Sequence, residues 1–217
     1  MHLPQAASGP MDTLAPLRDF VTATTHIVGQ AGQNEAQCVA AVREQLARLI
    51  AHDGWLPDFA TLPHPEHYQQ YLLHCDPLER FSVVSFVWGP GQRTPIHDHC
   101  VWGLVGMLRG AETGQAFECQ AAGPMRAKGP AVRLSPGDIE LVSPHTGDIH
   151  QVANALADQS SISIHVYGGN IGAVARHVYD PATSVAKPFV SGYSSAQVPN
   201  LWDRSHSVRA RLAGSRP

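Results

Sequence analysis

Hydrophobic residues recur at helical spacing near the start of the chain. Residues 12–29 place apolar side chains three, four or six positions apart, and residues 34–52 show the stronger pattern, with Asn34 as a candidate N-cap. The apolar face of the second segment comprises Cys38, Val39, Val42, Leu46, Leu49 and Ile50. Charged residues lie elsewhere on this segment, so the pattern predicts two amphipathic helices.

From about Tyr71 the pattern changes to short apolar runs separated by glycine, proline and other turn residues. Runs of this length, bounded in this way, predict β-strands. The clearest runs are 81–88, 101–108, 131–134, 139–143, 151–153 and 160–167. Many short strands at such spacing are typical of a sandwich or barrel. We therefore predict a mainly β fold, a small jelly-roll-like barrel with the N-terminal helices packed on it.

The length of 217 residues fits a single domain that is large enough to bury a core with a cavity inside it. Within it we expect the helices at about 12–55, the β-barrel at about 68–180 and an irregular C-terminal segment at about 181–217. The last segment is interrupted by prolines, serines and glycines, which is why it is expected to be irregular.

The charge of the chain is nearly balanced, with a formal net charge of −3 at pH 7. The body of the chain contains no basic stripe, which argues against nucleic acid as a partner. Four arginines cluster near the C-terminus, and we expect them to lie in a solvated terminus. These are Arg204, Arg209, Arg211 and Arg216.

Four cysteines are spread singly along the chain, at Cys38, Cys75, Cys100 and Cys119. This spacing favours reduced thiols inside a cell. The N-terminus lacks the pattern of a secretory signal, and no apolar stretch is long enough for a membrane helix. We therefore expect a cytoplasmic protein with no membrane partner. The sequence leaves its oligomeric state open.

Three histidines have the spacing of a metal site in a β-barrel. His97 and His99 alternate along a predicted strand, so both should point to one face while Asp98 points to the other. His150 can supply a third imidazole from another strand. Imidazole ligands suit iron, zinc, copper or nickel alike, so the ligand set leaves the metal open. The alternative is a set of structural histidines.

The residues around these histidines favour the metal site. The first pair lies in Gly91-Gln-Arg-Thr-Pro-Ile-His97-Asp-His99, and the third histidine lies in Gly147-Asp-Ile-His150-Gln-Val-Ala-Asn154. The two segments resemble the two halves of the cupin signature, which implies a cupin β-barrel. Gly103 stands where that signature has a glutamate ligand. The resemblance therefore implies a centre of three neutral imidazoles without a carboxylate, which leaves open positions on the metal and favours an anionic ligand.

A second polar set lies on one predicted strand, where Ser163, His165 and Tyr167 alternate with the apolar Ile164 and Val166. Buried hydroxyl and imidazole groups need hydrogen-bond partners. The alternation therefore predicts a Ser-His-Tyr relay, with the Tyr167 hydroxyl at the metal end. The alternative is the polar outer face of an edge strand.

Taken together, the motifs HDH, GDIHQVAN and SISIHVY resemble the thiol dioxygenase family of cupins, the relatives of cysteine dioxygenase, over residues 68–179. The resemblance implies one Fe(II) per chain, held by His97, His99 and His150, with the relay beside it. In mammalian-type cysteine dioxygenase the tyrosine is joined covalently to a cysteine. Gly103 occupies that position here, so no crosslink is expected.

One further position narrows the implied substrate. Gln70 stands, within one residue of alignment, where the mammalian-type enzyme has an arginine for the substrate carboxylate; Gln69 is the other candidate. This resembles the bacterial branch that includes 3-mercaptopropionate dioxygenase, in which a glutamine here and an arginine after the relay are associated with the carboxylate. Arg176 is the matching arginine. The alternative is that these residues lie at the surface.

The function implied by the resemblance is oxidation of a small thiol carboxylate by dioxygen, with 3-mercaptopropionate converted to 3-sulfinopropionate. Three alternatives stay open. The first is a cysteine dioxygenase acting on L-cysteine, the second is a metal-binding cupin without catalysis, and the third is a zinc- or nickel-dependent isomerase or hydrolase. The relay favours an enzyme, because a simple binding site does not need to handle protons.

Overall fold

The computed structural model describes residues 13–30, 34–195 and 205–214 of the chain. Its helices are α1 (Ala15–Val28), α2 (Glu35–Ile50) and α3 (Ser205–Gly214), and a short 3-10 helix covers Asp58–Thr61. Its strands are β1 (Gln69–Cys75), β2 (Ser82–Trp88), β3 (Ile96–His97), β4 (Gly103–Arg109), β5 (Glu112–Glu118), β6 (Arg126–Ala127), β7 (Val132–Leu134), β8 (Ile139–Val142), β9 (His150–Asn154), β10 (Ser161–Tyr167), β11 (Arg176–Tyr179) and β12 (Ala186–Phe189).

The strands form two antiparallel sheets. One has the order β1-β2-β10-β4-β8. The other has the order β12-β11-β3-β9-β5, and both β6 and β7 pair with β5. Long-range neighbours such as β2 with β10 and β3 with β9 are typical of a jelly-roll topology rather than of sequential hairpins. The predicted mainly β fold with N-terminal helices is confirmed.

The second predicted helix begins as its sequence indicates. The Asn34 side chain accepts a hydrogen bond from the backbone N–H of Gln37, and the Gln37 side chain accepts one from the backbone N–H of Asn34. This reciprocal pair satisfies two backbone donors that the first turn leaves free. The buried face of α2 packs on β4, where a Cβ at Gly106 would lie 3.1 Å from side-chain atoms of Leu46 and Ile50. The glycine therefore lets the helix approach the sheet.

The C-terminal segment is not irregular throughout, contrary to the prediction, since it contains β12 and α3. Arg209 is not a solvated tail residue either, because its guanidinium donates to the carbonyl oxygens of Val190 and Ser191. Helix α3 has almost no amphipathic pattern, which explains why hydrophobic periodicity missed it; Ser205 and Val208 are buried among its described side chains. Arg204 and Arg216 lie outside the described residues.

The thiols of Cys38, Cys100 and Cys119 form no disulfide in the described structure. Cys100, next to the second histidine, is exposed, and its backbone adopts a positive φ of 60°. Among the helices that the structure describes, none is long and apolar enough to cross a membrane.

Candidate metal centre

The three predicted histidines meet inside the barrel. His97 ends β3 and pairs directly across the sheet with His150, the first residue of β9. The prediction that His99 lies in the same strand as His97 is wrong, because β3 ends at His97. The backbone after β3 nevertheless turns its ring to the same side. The ring centroids of the three imidazoles lie 4.8–4.9 Å apart, and one potential ligand atom from each falls within 4.8 Å of the others.

Hydrogen bonds orient two of the rings. His97 Nδ1 lies 3.0 Å from the Pro95 carbonyl oxygen, and His99 Nδ1 lies 2.9 Å from Asp148 Oδ1. A neutral imidazole that donates through Nδ1 keeps Nε2 as an acceptor, which is the form that binds a metal. His150 Nδ1 is buried and has no hydrogen-bond partner among the described residues. The described structure leaves this third ring nitrogen unpaired, in contrast to the Nδ1 atoms of His97 and His99.

Burial keeps all three imidazoles neutral. It holds the pKa of His97 and of His99 well below the ordinary range, reinforced by the neighbouring histidines, and it lowers the pKa of His150 to about 4. At neutral pH, protons therefore do not compete with a metal ion for these nitrogens. The geometry and the donor set fit a divalent transition metal held by three imidazoles, although they do not distinguish iron from zinc, copper or nickel.

Two aspartates support this centre, and the sequence reading assigned neither of them a role. Asp148 accepts hydrogen bonds from the His99 ring and, through Oδ2, from the backbone N–H groups of His99 and Cys100. Asp98 points away from the histidines, as its alternate position predicts, and accepts from the His177 backbone, the His177 ring and the Tyr179 hydroxyl. The signal for Asp148 was its place two residues before His150, in a loop that returns to the first histidine pair.

The predicted relay is present as a chain of hydrogen bonds on β10. Ser163 Oγ lies 2.8 Å from His165 Nε2, and His165 Nδ1 lies 2.8 Å from the Tyr167 hydroxyl oxygen. All three residues are buried, so this is not the outer face of an edge strand. Burial lowers the pKa of His165 well below its usual value and raises that of Tyr167. Both groups are therefore neutral at physiological pH, and the Tyr167 ring stacks against His99 with centroids 5.5 Å apart.

Gly103 leaves space for the Tyr167 ring. The two residues face each other across β4 and β10, and a Cβ on Gly103 would lie 2.8 Å from two ring carbons of Tyr167. A glutamate at position 103 would therefore displace the tyrosine. The absence of a side chain at position 103 is what allows the Tyr167 ring to lie beside His99.

Arg176 and Gln70 lie in the wall of the same cavity, on β11 and β1 respectively. Arg176 is 4% exposed, donates to Ser191 Oγ at 2.9 Å and stacks over the Phe189 ring, while its Nε has no partner. Within the described residues no carboxylate is in ion-pair range of it. The amide nitrogen of Gln70 donates to the Gly192 carbonyl oxygen at 2.6 Å. Gln69 does not line the cavity and instead contacts nearby backbone carbonyls.

The cavity is small, with about 20 Å³ open to water-sized molecules. The cavity is lined on one part by polar groups of the histidines, the relay and Arg176, and on the rest by aromatic and apolar side chains. The aromatic and apolar side chains are those of Tyr68, Phe86, Trp88, Pro95, Val152 and Phe189. No aspartate or glutamate occurs among the described lining residues. The electrostatic character of the cavity is therefore cationic, set by Arg176 and by any metal that the imidazoles hold.

No protein-family model matches the chain. Among solved structures, it is similar to an uncharacterized conserved protein with a double-stranded β-helix domain from Klebsiella pneumoniae, at 20% identity and a TM-score of 0.42 over 53% of this chain and 89% of that one. It is also similar to a cupin 2 conserved barrel domain protein from Salinispora arenicola, at 20% identity and a TM-score of 0.38 over 53% and 87% of the two chains.

An oxalate oxidase in complex with the substrate analogue glycolate is similar at 13% identity and a TM-score of 0.39, over 50% of this chain and 55% of that one. Each of these similarities covers about half of this chain. The two sheets and their strand pairing give the chain a jelly-roll-like β-barrel, and this barrel contains a three-histidine group that could hold a metal ion.

Proposed function

We propose that this protein is an iron(II)-dependent thiol dioxygenase that oxidises a small thiol carboxylate, with 3-mercaptopropionate as the preferred substrate. The observation that carries the proposal is Arg176, a buried guanidinium without a carboxylate partner, in the same cavity as three neutral imidazoles and a Ser-His-Tyr chain. A buried charge is stable when it is paired, so the cavity favours an anion that brings its own carboxylate.

The imidazoles of His97, His99 and His150 would hold the iron. Iron held there would supply the redox chemistry that couples oxidation of the thiol sulfur to reduction of dioxygen. The overall reaction is RSH + O₂ → RSO₂⁻ + H⁺. The sulfur loses four electrons and dioxygen gains four, so no further reductant is required.

Arg176 orients the substrate in this proposal. Its free Nε–H and its remaining N–H donors offer a charge-assisted hydrogen bond to a carboxylate, and Ser191 and Phe189 hold the guanidinium in place. Gln70 lines the same cavity, where its bond to the Gly192 carbonyl oxygen fixes the side chain. With the carboxylate fixed at one end, a short chain places the sulfur at the three imidazoles.

Tyr167 handles a proton at the reacting end. Its hydroxyl lies between His165 Nδ1 and the cavity, and its ring packs against His99. Because the pKa of this hydroxyl is raised by burial, it acts as a neutral hydrogen-bond donor or acceptor and not as a phenolate. It can therefore hydrogen-bond to the substrate or to the oxygen that adds to it.

The lining of the cavity favours 3-mercaptopropionate over L-cysteine. L-Cysteine carries an ammonium group, and none of the described lining residues offers a carboxylate to pair with it. The neighbouring charge of Arg176 would repel it as well. We expect kcat/KM to be at least about tenfold higher for 3-mercaptopropionate, because leaving a buried charged group unpaired costs on the order of 1–3 kcal/mol.

The test combines metal analysis with an oxygen electrode. Protein purified without added metal is analysed for iron, zinc, nickel and copper, then loaded with Fe(II) and assayed with 3-mercaptopropionate, L-cysteine and 2-mercaptoethanol. Dioxygen uptake equal to sulfinate formed, with 3-mercaptopropionate fastest, supports the proposal. Uptake fastest with L-cysteine indicates cysteine dioxygenase. Bound metal with no uptake on any thiol indicates a binding cupin or a redox-inactive enzyme.

Replacing Tyr167 with phenylalanine is expected to lower kcat about tenfold with no loss of bound iron, because the variant loses a hydrogen bond worth about 1–2 kcal/mol. Iron content and kcat measured on the same preparation check this. Tyr71→Phe is the matched control, since its hydroxyl donates to the Leu62 carbonyl oxygen far from the cavity lining. If Tyr167→Phe also lost its iron, the tyrosine would have a structural role only.

A further inference from the structure

A short backbone segment joins the two side chains that are proposed to bind the substrate carboxylate. Residues 189–195, which we name the C-terminal arm, begin at the end of β12, where Phe189 pairs with Arg176 on β11. The arm then reaches β1, where the backbone N–H of Ser194 donates to the Gln70 carbonyl oxygen at 2.8 Å. Since β11 and β1 belong to different sheets, the arm passes from one sheet to the other beside the cavity.

Two consecutive residues of the arm hold these side chains. Ser191 Oγ accepts a hydrogen bond from Arg176 Nη2 at 2.9 Å, and the Gly192 carbonyl oxygen accepts one from Gln70 Nε2 at 2.6 Å. Arg176 and Gln70 are both buried, and buried polar groups take their orientation from the partners to which they are hydrogen-bonded. A displacement of the arm would therefore displace both groups together.

The arm is itself held from outside the barrel, by Arg209 on α3. Its Nη2 donates to the carbonyl oxygens of Val190 and Ser191, both at 2.9 Å, and its Nε donates to the Val190 oxygen at 3.2 Å. A guanidinium is a planar fork with fixed donor positions, and hydrogen bonds from a charged donor are the stronger ones. One side chain thus fixes two consecutive carbonyl groups of the arm.

The turn at Gly192 lets the arm face both ways. Its φ of +72° lies in the left-handed region that favours glycine, and a Cβ there would lie 3.1 Å from Arg209 Nη2 and from Ser205 Oγ. The two carbonyl groups before the turn accept from α3, whereas the Gly192 carbonyl accepts from Gln70. The backbone N–H of Gly192 donates to the Gly172 carbonyl oxygen at 2.9 Å.

We propose that Arg209 is a positioning residue for the substrate carboxylate. It fixes the C-terminal arm from α3, and the arm in turn fixes Arg176 and Gln70. Arg209 itself does not line the cavity. This role rests on the proposed function and deepens it, because it makes the C-terminal helix part of the substrate site. A misplacement of about 1 Å far from the reacting atoms can cost about 100-fold in rate, so a residue that fixes two binding groups has a measurable effect.

The order of the Arg176 guanidinium can be measured without iron or thiol. In the full-length chain, the ¹⁵N relaxation of the Arg176 Nε–H group reports its mobility, and the absence of this signal from Arg176→Met identifies it. We expect Arg209→Met to make the guanidinium more mobile. Arg209 is an exposed residue, so this substitution leaves no cavity in the core. Arg133→Met, at an exposed position of β7, is the matched control and should leave the signal unchanged.

Steady-state dioxygen uptake by the iron-loaded chain tests the consequence for the substrate. Arg209→Met is expected to raise KM for 3-mercaptopropionate about tenfold, with iron content and kcat/KM for 2-mercaptoethanol as in wild type. Ser191→Ala cuts the bond between the arm and Arg176 and should have a similar effect. The double variant should lose less than the product of the two single losses, because both substitutions act along one path.

A second variant keeps the role of Arg209 testable if Arg209→Met fails to fold, as judged from its thermal transition. The Cβ of Gly192→Ala would displace Arg209 Nη2, so this variant should also make the Arg176 guanidinium more mobile. A wild-type Arg176 signal in either folded variant would overturn the proposal. Equal losses on both thiols in Arg209→Met would do so too, since they would assign Arg209 to the packing of α3. Failure of the proposed function would instead appear as absent dioxygen uptake on every thiol and would leave the Arg176 signal unaffected.

Discussion

Chains in which His150 is replaced by alanine are expected to retain no iron through purification and to consume no dioxygen with any thiol. His150 is fully enclosed in the cavity and is one of three imidazoles that surround the ligand position. Loss of an outer hydrogen-bond partner of a ligand costs roughly 10–100-fold in metal affinity, so loss of a ligand itself should exceed about 100-fold. Iron content after dialysis and dioxygen uptake measure the two effects.

The matched control is His145→Ala, five residues earlier in the chain. His145 lies in a turn, its side chain is 75% exposed, and its ring contacts Glu35 rather than the other histidines. This variant should keep both its iron and its activity. Normal dioxygen uptake by His150→Ala would refute the three-histidine centre, whereas a misfolded His150→Ala would show itself in its circular dichroism and thermal transition, against the control.

The second large effect is expected from Arg176→Met, which keeps the length of the side chain and removes its charge. The carboxylate of 3-mercaptopropionate would lose its buried charged partner, which costs about 3–4 kcal/mol, or about 100- to 1,000-fold in kcat/KM. The loss should appear mainly in KM if the carboxylate contact is equally strong in the bound substrate and in the transition state. Steady-state dioxygen uptake over a range of substrate concentrations checks this.

A thiol substrate without a carboxylate distinguishes a substrate-binding role of Arg176 from a structural role. With 2-mercaptoethanol, Arg176→Met and the wild type should differ by less than about tenfold, because this substrate has no group for Arg176 to bind. Arg133→Met, at an exposed position of β7, is the control for loss of an arginine as such and should behave as wild type. An equal loss on both thiols in Arg176→Met would assign Arg176 to packing against Phe189 rather than to the substrate.

The local patterns of the sequence predicted the groups that depend on local geometry. Alternation along a strand places Ser163, His165 and Tyr167 on one face, and the structure joins them by hydrogen bonds. The same alternation separated Asp98 from the two neighbouring histidines. The capping residue and the apolar face of α2 could also be predicted from the local sequence. An amphipathic pattern indicates which side of a helix is buried.

Features that depend on contacts between distant residues could not be predicted from local sequence patterns. Among its described side chains, helix α3 packs through Val208 and the partly buried Leu212, and it has no periodic pattern to detect. Glu112 is one acidic residue on a strand of mixed character, and only the packing of β5 against β10 buries it beside Ser161. Asp148 follows a turn and reaches His99 because β9 lies next to β3.

The sequence by itself determined the chemistry available to this protein: three histidines at ligand spacing, a polar triad on one strand face and an apolar framework that buries both. Only the tertiary structure decided how that chemistry is combined. It placed Arg176, without a counter-charge, in the same cavity as Gln70, excluded every described acidic residue from the lining and buried the Glu112 carboxyl group between the two sheets. The physical reason is that strand periodicity is fixed by neighbouring residues, whereas burial and charge pairing depend on which strands become neighbours when the two sheets pack together.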